Sequence, residues 1–249
     1  MKIASIILAA GKGTRMQATE KNKVALLFHG KPLVAYAVEL FAGICDPIIV
    51  VVGAYSQSVK ISLTGYQVQF VDQIEQLGTG DAVKTGVDFL KKNSSAPNYV
   101  MVSYGDHSMF YRKETVKKLI QLHSDSNSPI SLLTTVVDNP NELAWGRVVR
   151  NSEGFVERIV EQKEATPAET TINEVNPGFY CFDYDFLERA IRLVKPSPVK
   201  KEFYLTDIIQ IAVSEGKKIA ALRVPFEEVG IGINKPEELS VSQKLYEER

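Results

Sequence analysis

Residues Ile3-Ala-Ser-Ile-Ile-Leu8, running into Ala9-Ala-Gly-Lys-Gly-Thr-Arg-Met16, decide the fold class. An uncharged, isoleucine-rich run reads as a strand buried on both faces. The small residues behind it read as a turn whose backbone N–H groups can come close to a phosphate. Lys12 and Arg15 add positive charge where a triphosphate would lie. A tight turn after a strand has the same composition, so the stretch alone leaves both readings open. It excludes two other phosphate loops: Met16 stands where the dinucleotide fingerprint has its third glycine, and no Gly-x-x-x-x-Gly-Lys-Ser/Thr occurs.

Outward from this turn, short Ile/Val runs recur at Ile48 to Val52, Val68 to Val71 and Tyr99 to Val102. Between them Leu33, Ala37, Leu40, Phe41 and Ile44, and later Ala82, Val83, Gly86, Val87 and Leu90, fall at helical spacing. Strands alternating with helices predict an α/β fold: a Rossmann-like, mostly parallel mixed sheet with helices on both faces. Past Trp145 the pattern becomes strand, turn, strand, with Arg147 to Arg150 and Phe155 to Val160 flanking Asn151-Ser-Glu-Gly154, which predicts a hairpin and a small β-rich insertion. Helices are expected over Tyr184 to Leu193 and Leu205 to Ser214, and Pro236 to Arg249 reads as a polar terminal helix. The expected organisation is a single domain over 1–249, with parts at about 1–140, 141–235 and 236–249.

At 249 residues with 45% apolar side chains the chain can bury a sizeable core. Lysine and arginine number 29 against 30 acids, so nothing global favours nucleic acid or an anionic membrane, and phosphate binding has to be local. Cys45 and Cys181 lie in apolar stretches and read as buried thiols, which points to the cytoplasm. Met1 to Ala10 is too short and too soon followed by charge to be a signal peptide or a membrane span.

The stretch Leu8 to Met16 resembles the signature of the sugar-nucleotide pyrophosphorylases, nearest to those that act on N-acetylglucosamine 1-phosphate. Matches follow in the same order at Gln76-Leu-Gly-Thr-Gly80, Tyr104-Gly-Asp106, Gly146-Arg-Val-Val-Arg150, Val160-Glu-Gln-Lys-Glu-Ala-Thr166, Glu174-Val-Asn-Pro-Gly178, Glu202-Phe-Tyr-Leu-Thr-Asp207 and Gly232-Ile-Asn234. The resemblance implies a nucleotide-diphospho-sugar transferase fold and a reaction in which a sugar 1-phosphate attacks the α-phosphorus of UTP and releases pyrophosphate. It implies Arg15 and Lys23 at the phosphates. Leu8, Ala9, Ala10, Gly11, Gly13 and Thr14 would surround the nucleotide, with Gln76, Thr79 and Gly80 towards the base. Gly146, Glu161, Asn176, Tyr204 and Thr206 would meet the sugar, and Asp106 and Asn234 would hold one Mg²⁺. Each has a plain alternative: Arg15 and Lys23 as surface cations, Gln76 as a loop residue, Asp106, Asn234 and Thr206 as caps, and Tyr204 as packing.

Three departures stand out. Asn22 replaces a proline before the lysine, and the stretch from Arg15 is one residue longer than usual, which makes Lys21 a competitor of Lys23. His107-Ser-Met109 follows Asp106 where the family has a small apolar residue, proline and leucine, putting sugar choice in doubt. No hexapeptide repeats of the family's acetyltransferase half follow, so a monomer or weak homodimer is expected. Asp183-Tyr-Asp185 fits a metal-binding Asp-x-Asp, but its place between strand and helix favours a cap. His123, on the apolar face of Val116, Leu119 and Ile120, reads as a satisfied core histidine. Two further readings stay open: another triphosphate or sugar 1-phosphate, or a non-catalytic nucleotide-sugar sensor.

Overall fold

The computed structural model describes residues 1–13, 21–93 and 96–248. Thr14 and Arg15 lie outside the described residues. Among those described, strands β1 (Ile3–Ala9), β2 (Leu27–Phe28) and β3 (Lys31–Pro32) precede helix α1 (Leu33–Phe41). Then come β4 (Ile48–Val52), α2 (Ser56–Ser62), β5 (Gln69–Asp72), α3 (Thr79–Asn93), β6 (Tyr99–Tyr104), α4 (Lys113–Ser126) and β7 (Ile130–Val136). The second half supplies β8 (Gly146–Arg150), β9 (Val156–Val160), β10 (Glu174–Asn176), β11 (Tyr180–Asp183), α5 (Tyr184–Ala190), α6 (Asp207–Ser214), β12 (Ala220–Arg223), α7 (Phe226–Val229) and α8 (Pro236–Glu247).

The expected strand–helix alternation holds, and the two central early runs are buried on both faces: every residue of β1 and of β4 is buried, whereas β5 lies at the half-exposed edge. Strands β5-β4-β1-β6 are parallel, and the sheet continues through β11, β7, β10, β8 and β9, with β12 parallel on β7. Both parts of the chain therefore share one mixed sheet. Helices cover both faces, with Val34, Val38 and Phe41 of α1 and Leu119 of α4 in one apolar core, and Val83 and Leu90 of α3 with Ile208 and Ile209 of α6 in another.

The junction was not legible in the sequence. β11, more than 70 residues after β6 in the chain, lies antiparallel between β6 and β7, pairing Tyr180 with Val102 and with Leu132. The stretch from Glu174 to Asp183 runs along β7 and is interrupted after Asn176 by Pro177-Gly-Phe179. Proline has no N–H for the ladder. Gly178 has φ +83°, and a Cβ there would lie 1.9 Å from the Tyr104 ring, so only glycine fits. The strands Ile130–Val136 and Ala220–Arg223 lie outside the expected Ile/Val runs, while α5 ends at Ala190 and α6 starts at Asp207, each shorter than predicted.

A third apolar cluster fastens the terminal helix. Leu239, Leu245 and Tyr246 of α8 pack on Phe28, Leu33, Met109, Phe110 and Ile233. Ile233 N–H donates to the Asp106 carbonyl at 3.2 Å, which sets Asn234 beside Asp106.

Candidate active site

The carboxyl ends of β1, β5 and β6 open onto one cleft of about 640 Å³, where parallel α/β sheets place their ligands. Leu8, Ala9, Ala10, Gly11, Lys12, Lys23, Gln76, Thr79 and Asp106 line one side. Gly146, Glu161, Asn176 and Tyr204 also line it, and Asn234 lies beside Lys23. Residues from every motif between Leu8 and Asn234 thus meet in a single cavity.

The glycine-rich turn is held from several directions. Gly105 N–H donates to Leu8 O at 3.0 Å, and Ala54 N–H to Ala10 O at 3.1 Å. Asn22, fully buried, does the rest: its amide nitrogen faces the carbonyls of Ala9 (3.2 Å), Gly11 (3.0 Å) and Ala54 (2.8 Å), and its amide oxygen accepts from Val24 N–H at 3.1 Å. The asparagine that looked like a defect in the motif is the clamp between the turn and the short helical turn Lys23–Ala25. A proline could make none of these side-chain bonds.

Lys21 is exposed, whereas Lys23 reaches into the cleft. Its stem lies along Gly13, where a Cβ would come within 3.2 Å of Lys23 Cβ. Its ammonium forms an ion pair with Asp106 and donates to Asn234 Oδ1 at 2.9 Å. Asn234 is at the entry to α8, where Glu238 Oε2 accepts from the N–H groups of Asn234 (2.5 Å) and Lys235 (3.0 Å). The alternative reading of Asn234 as a cap does not describe its side chain, which faces Lys23 while Lys235 takes the N-cap position. Asp106 and Asn234 thus present a carboxylate and an amide oxygen to one cation, the oxygen donors Mg²⁺ prefers, and one or two protein ligands suffice for it. By that test the residues fit the ion. No group of three or more His, Cys, Asp or Glu among the described residues could hold a metal elsewhere.

Gln76 adopts φ +51°, and its Oε1 is buried without a hydrogen-bond partner. A buried acceptor left unpaired costs about 1 to 3 kcal/mol, which a donor on a bound base would recover. Gly80 is tied into the protein through its backbone. Its N–H donates to Phe203 O at 2.8 Å, and Phe203 N–H donates to Leu77 O at 2.8 Å. Thr79 Oγ1 accepts from Leu205 N–H at 3.0 Å. The loop 76–80 is therefore stitched to the segment carrying Tyr204 and Thr206.

At the far end Thr206 is at the helix N-cap position but its hydroxyl makes no cap bond; it donates to Glu161 Oε1 at 3.0 Å. Burial, and then the nearby Asp207, Glu164 and Glu202, push the Glu161 carboxyl up from its usual range. Asp207 is raised to about 6 by burial and then Glu164. Tyr204 is raised to about 12 by burial, then Glu164, Glu202 and Glu161. Asn176 Nδ2 donates to the Tyr180 hydroxyl at 2.5 Å and Oδ1 accepts from Gly178 N–H at 3.1 Å, which fixes its orientation. Gly146 pairs with Asn176 across β8 and β10, and a Cβ there would strike Ile159 at 2.5 Å.

Two lining residues, His107 and Trp145, are not among the expected site residues. Their rings lie 4.8 Å apart, 36° from parallel. His107 Nδ1 is 3.1 Å from Pro177 O and Nε2 3.4 Å from Gly230 O, while Ser108 Oγ donates to Tyr104 O at 3.0 Å. The only sequence signal was the departure from the family pattern at these positions. His123 is buried as expected, against Ser131 Oγ (2.9 Å) and Asp183 Oδ1 (3.2 Å). Asp183 is at the N-cap of α5 but makes no side-chain cap bond, so the cap reading is corrected to support of His123. Both cysteines are buried and unpaired, and burial raises the Cys45 thiol to about 12.

Curated relatives include the bifunctional protein GlmU of Oceanobacillus iheyensis, 38% identical over 98% of this chain, and that of Clostridium perfringens, 36% identical over 100%. The chain spans about half the length of these relatives, 52% and 53%. Among solved structures, a UDP-glucose pyrophosphorylase complexed with UDP-glucose matches with TM-score 0.79 at 20% identity, covering 100% of this chain and 99% of that one. A CMP:2-keto-3-deoxy-manno-octonic acid synthetase complexed with CTP matches with TM-score 0.72 at 18% identity, covering 100% and 99%. These two bear on the fold. Residues 4–228 match the Nucleotidyl transferase family, and the chain belongs to it.

Proposed function

We propose that this chain transfers the uridylyl group of UTP to N-acetylglucosamine 1-phosphate, forming the UDP-sugar and releasing pyrophosphate. The observation that carries the reading is the convergence of Lys23, Asp106 and Asn234 in a cleft whose other end holds Glu161 and Asn176. An in-line displacement between two anions needs charge neutralisation and alignment more than covalent help. Lys23 supplies charge at the reacting phosphates, and Arg15 is assigned to the β and γ phosphates. Asp106 and Asn234 hold Mg²⁺, which when bound offsets the repulsion between attacking and accepting phosphates. Gln76 Oε1 accepts from the uracil N3–H, a donor that cytosine lacks. Glu161 and Asn176 accept from or donate to sugar hydroxyl and acetamido groups, with the Gly146 backbone beside them. The substrates are small and water-soluble, in keeping with a cytoplasmic protein, and no helix among the described residues is long and apolar enough to cross a membrane.

The test is a panel of triphosphates against sugar 1-phosphates, scored by pyrophosphate release with and without Mg²⁺. UTP with N-acetylglucosamine 1-phosphate should give the highest kcat/KM. A different best pair would reassign the substrates, and tight binding without release would make the protein a sensor.

A further inference from the structure

We propose that the Lys23 ammonium is the resident cation of the metal position in the free protein, so that a divalent ion gains it only when the phosphates of an incoming triphosphate draw Lys23 away. The inference rests on the reading of Asp106 and Asn234 as the metal's ligands. Those two oxygens are the ones Lys23 occupies, through the ion pair to Asp106 and the 2.9 Å bond to Asn234 Oδ1. The pair is sheltered, the Lys23 and Asp106 side chains being 17% and 11% exposed. Water therefore screens it less than a surface pair.

An ammonium and a divalent ion compete for these oxygens. Each draws on the same carboxylate charge and the same amide lone pairs, and holding both at close range sets charges of one sign against each other in a sheltered site. Either cation weakens the other.

Geometry also supplies a destination for the lysine. Its backbone is fixed by Asn22, whose amide oxygen caps Val24, and its stem lies along Gly13 of the glycine-rich turn. Lysine has four flexible methylenes beyond that anchor, and Lys12 and Gly11 of the turn line the same cleft. Rotation about the stem can carry the charge from Asp106 to phosphates bound over the turn without moving the main chain. The nucleotide then unlocks the metal position, and by linkage the metal tightens the nucleotide by the same factor.

The experiment titrates Mn²⁺ against the full chain without nucleotide and counts free Mn²⁺ by electron paramagnetic resonance. Wild type should bind weakly. Lys23→Met should bind one Mn²⁺ at least tenfold more tightly, and the double variant with Asp106→Asn should lose that site. Lys23→Arg keeps the positive charge and should remain as weak as wild type, whereas mere loosening of the loop would raise affinity in both single variants. Thermal melts confirm that each variant is folded. Equal Mn²⁺ affinity in wild type and Lys23→Met, or no Asp106-dependent site in Lys23→Met, overturns the proposal. A separate arm measures water-proton relaxation of Mn²⁺–UTP on wild type and Asp106→Asn. Asp106-dependent enhancement there keeps the metal assignment standing even if the lysine exchange fails, and its absence removes the assignment itself.

Discussion

At one end of the cleft Asp106 meets the Lys23 ammonium, which also donates to Asn234 Oδ1; at the other, Glu161 has the Thr206 hydroxyl, with Asp207, Glu164 and Glu202 close by. The first carboxylate is neutralised by a neighbour that a substrate can replace. The second is surrounded by its own kind, and its pKa rises with burial and crowding. The contrast separates two tasks. Under the proposed function the phosphate end exchanges charges, and the sugar end offers acceptors to hydroxyl and amide donors while repelling any further anion.

The strongest break in that contrast comes from Asp106→Asn. Asparagine keeps the shape and can still accept from Lys23, but removes the charge. Turnover should fall by about 10²- to 10³-fold, the scale for losing a preorganised electrostatic group, while the melting temperature moves little. Full pyrophosphate release by this variant would end the assignment of roles at the phosphate end.

At the sugar end, Glu161→Ala should raise the KM for the sugar 1-phosphate by about tenfold, equivalent to about 1.4 kcal/mol, with UTP affinity unchanged. Steady-state kinetics with each substrate varied in turn checks this, and equal weakening of both substrates would show that the two ends are not independent. Gln76→Ala should reduce the UTP-to-CTP preference by about five- to tenfold, in line with a net hydrogen bond of about 1 kcal/mol, while slowing the UTP reaction less. Competition assays with both triphosphates measure it directly, and an unchanged ratio takes the base away from Gln76.

The smallest effect sharpens the crowding argument. The Asp207 carboxyl is raised from 3.8 to about 6 in the folded protein. The folded state therefore holds that proton more firmly than the unfolded chain, and stability falls as pH rises through the window from 3.8 to about 6. Asp207→Asn should gain melting temperature relative to wild type across that window and then level off. A difference independent of pH would mean that the charge is not strained.

Much of this was legible because the signals are local. Buried Ile/Val runs announce β1 and β4, and ordered motifs point to Asp106, Glu161 and Asn234, which line one cleft together with Lys23, the lysine that competes with Lys21 in the sequence. What escaped depends on side chains meeting across the fold. Asn22 read as a broken motif because the three carbonyls it binds belong to Ala9, Gly11 and Ala54, which composition cannot bring together. Asp183 read as a cap because helix starts favour aspartate, yet its partner is His123, 60 residues earlier. His107 belongs to no motif, and its role follows only from the carbonyls of Pro177 and Gly230 on either side of its ring.

The placement of β11 between β6 and β7 has a consequence for biosynthesis. A nascent chain that has emerged only as far as Val136 already contains all the parallel strands of the nucleotide side, but the Tyr99–Tyr104 edge of β6 has no partner until Tyr180–Asp183 arrives. An unpaired, buried-type edge is a template for strands of other chains, and late non-local pairings are the slow ones to form. Counted from the end of β6, the ribosome must therefore deliver more than 70 residues before that edge is sealed. Polypeptides released before Tyr180 would be expected to aggregate rather than to persist as a free nucleotide-binding half.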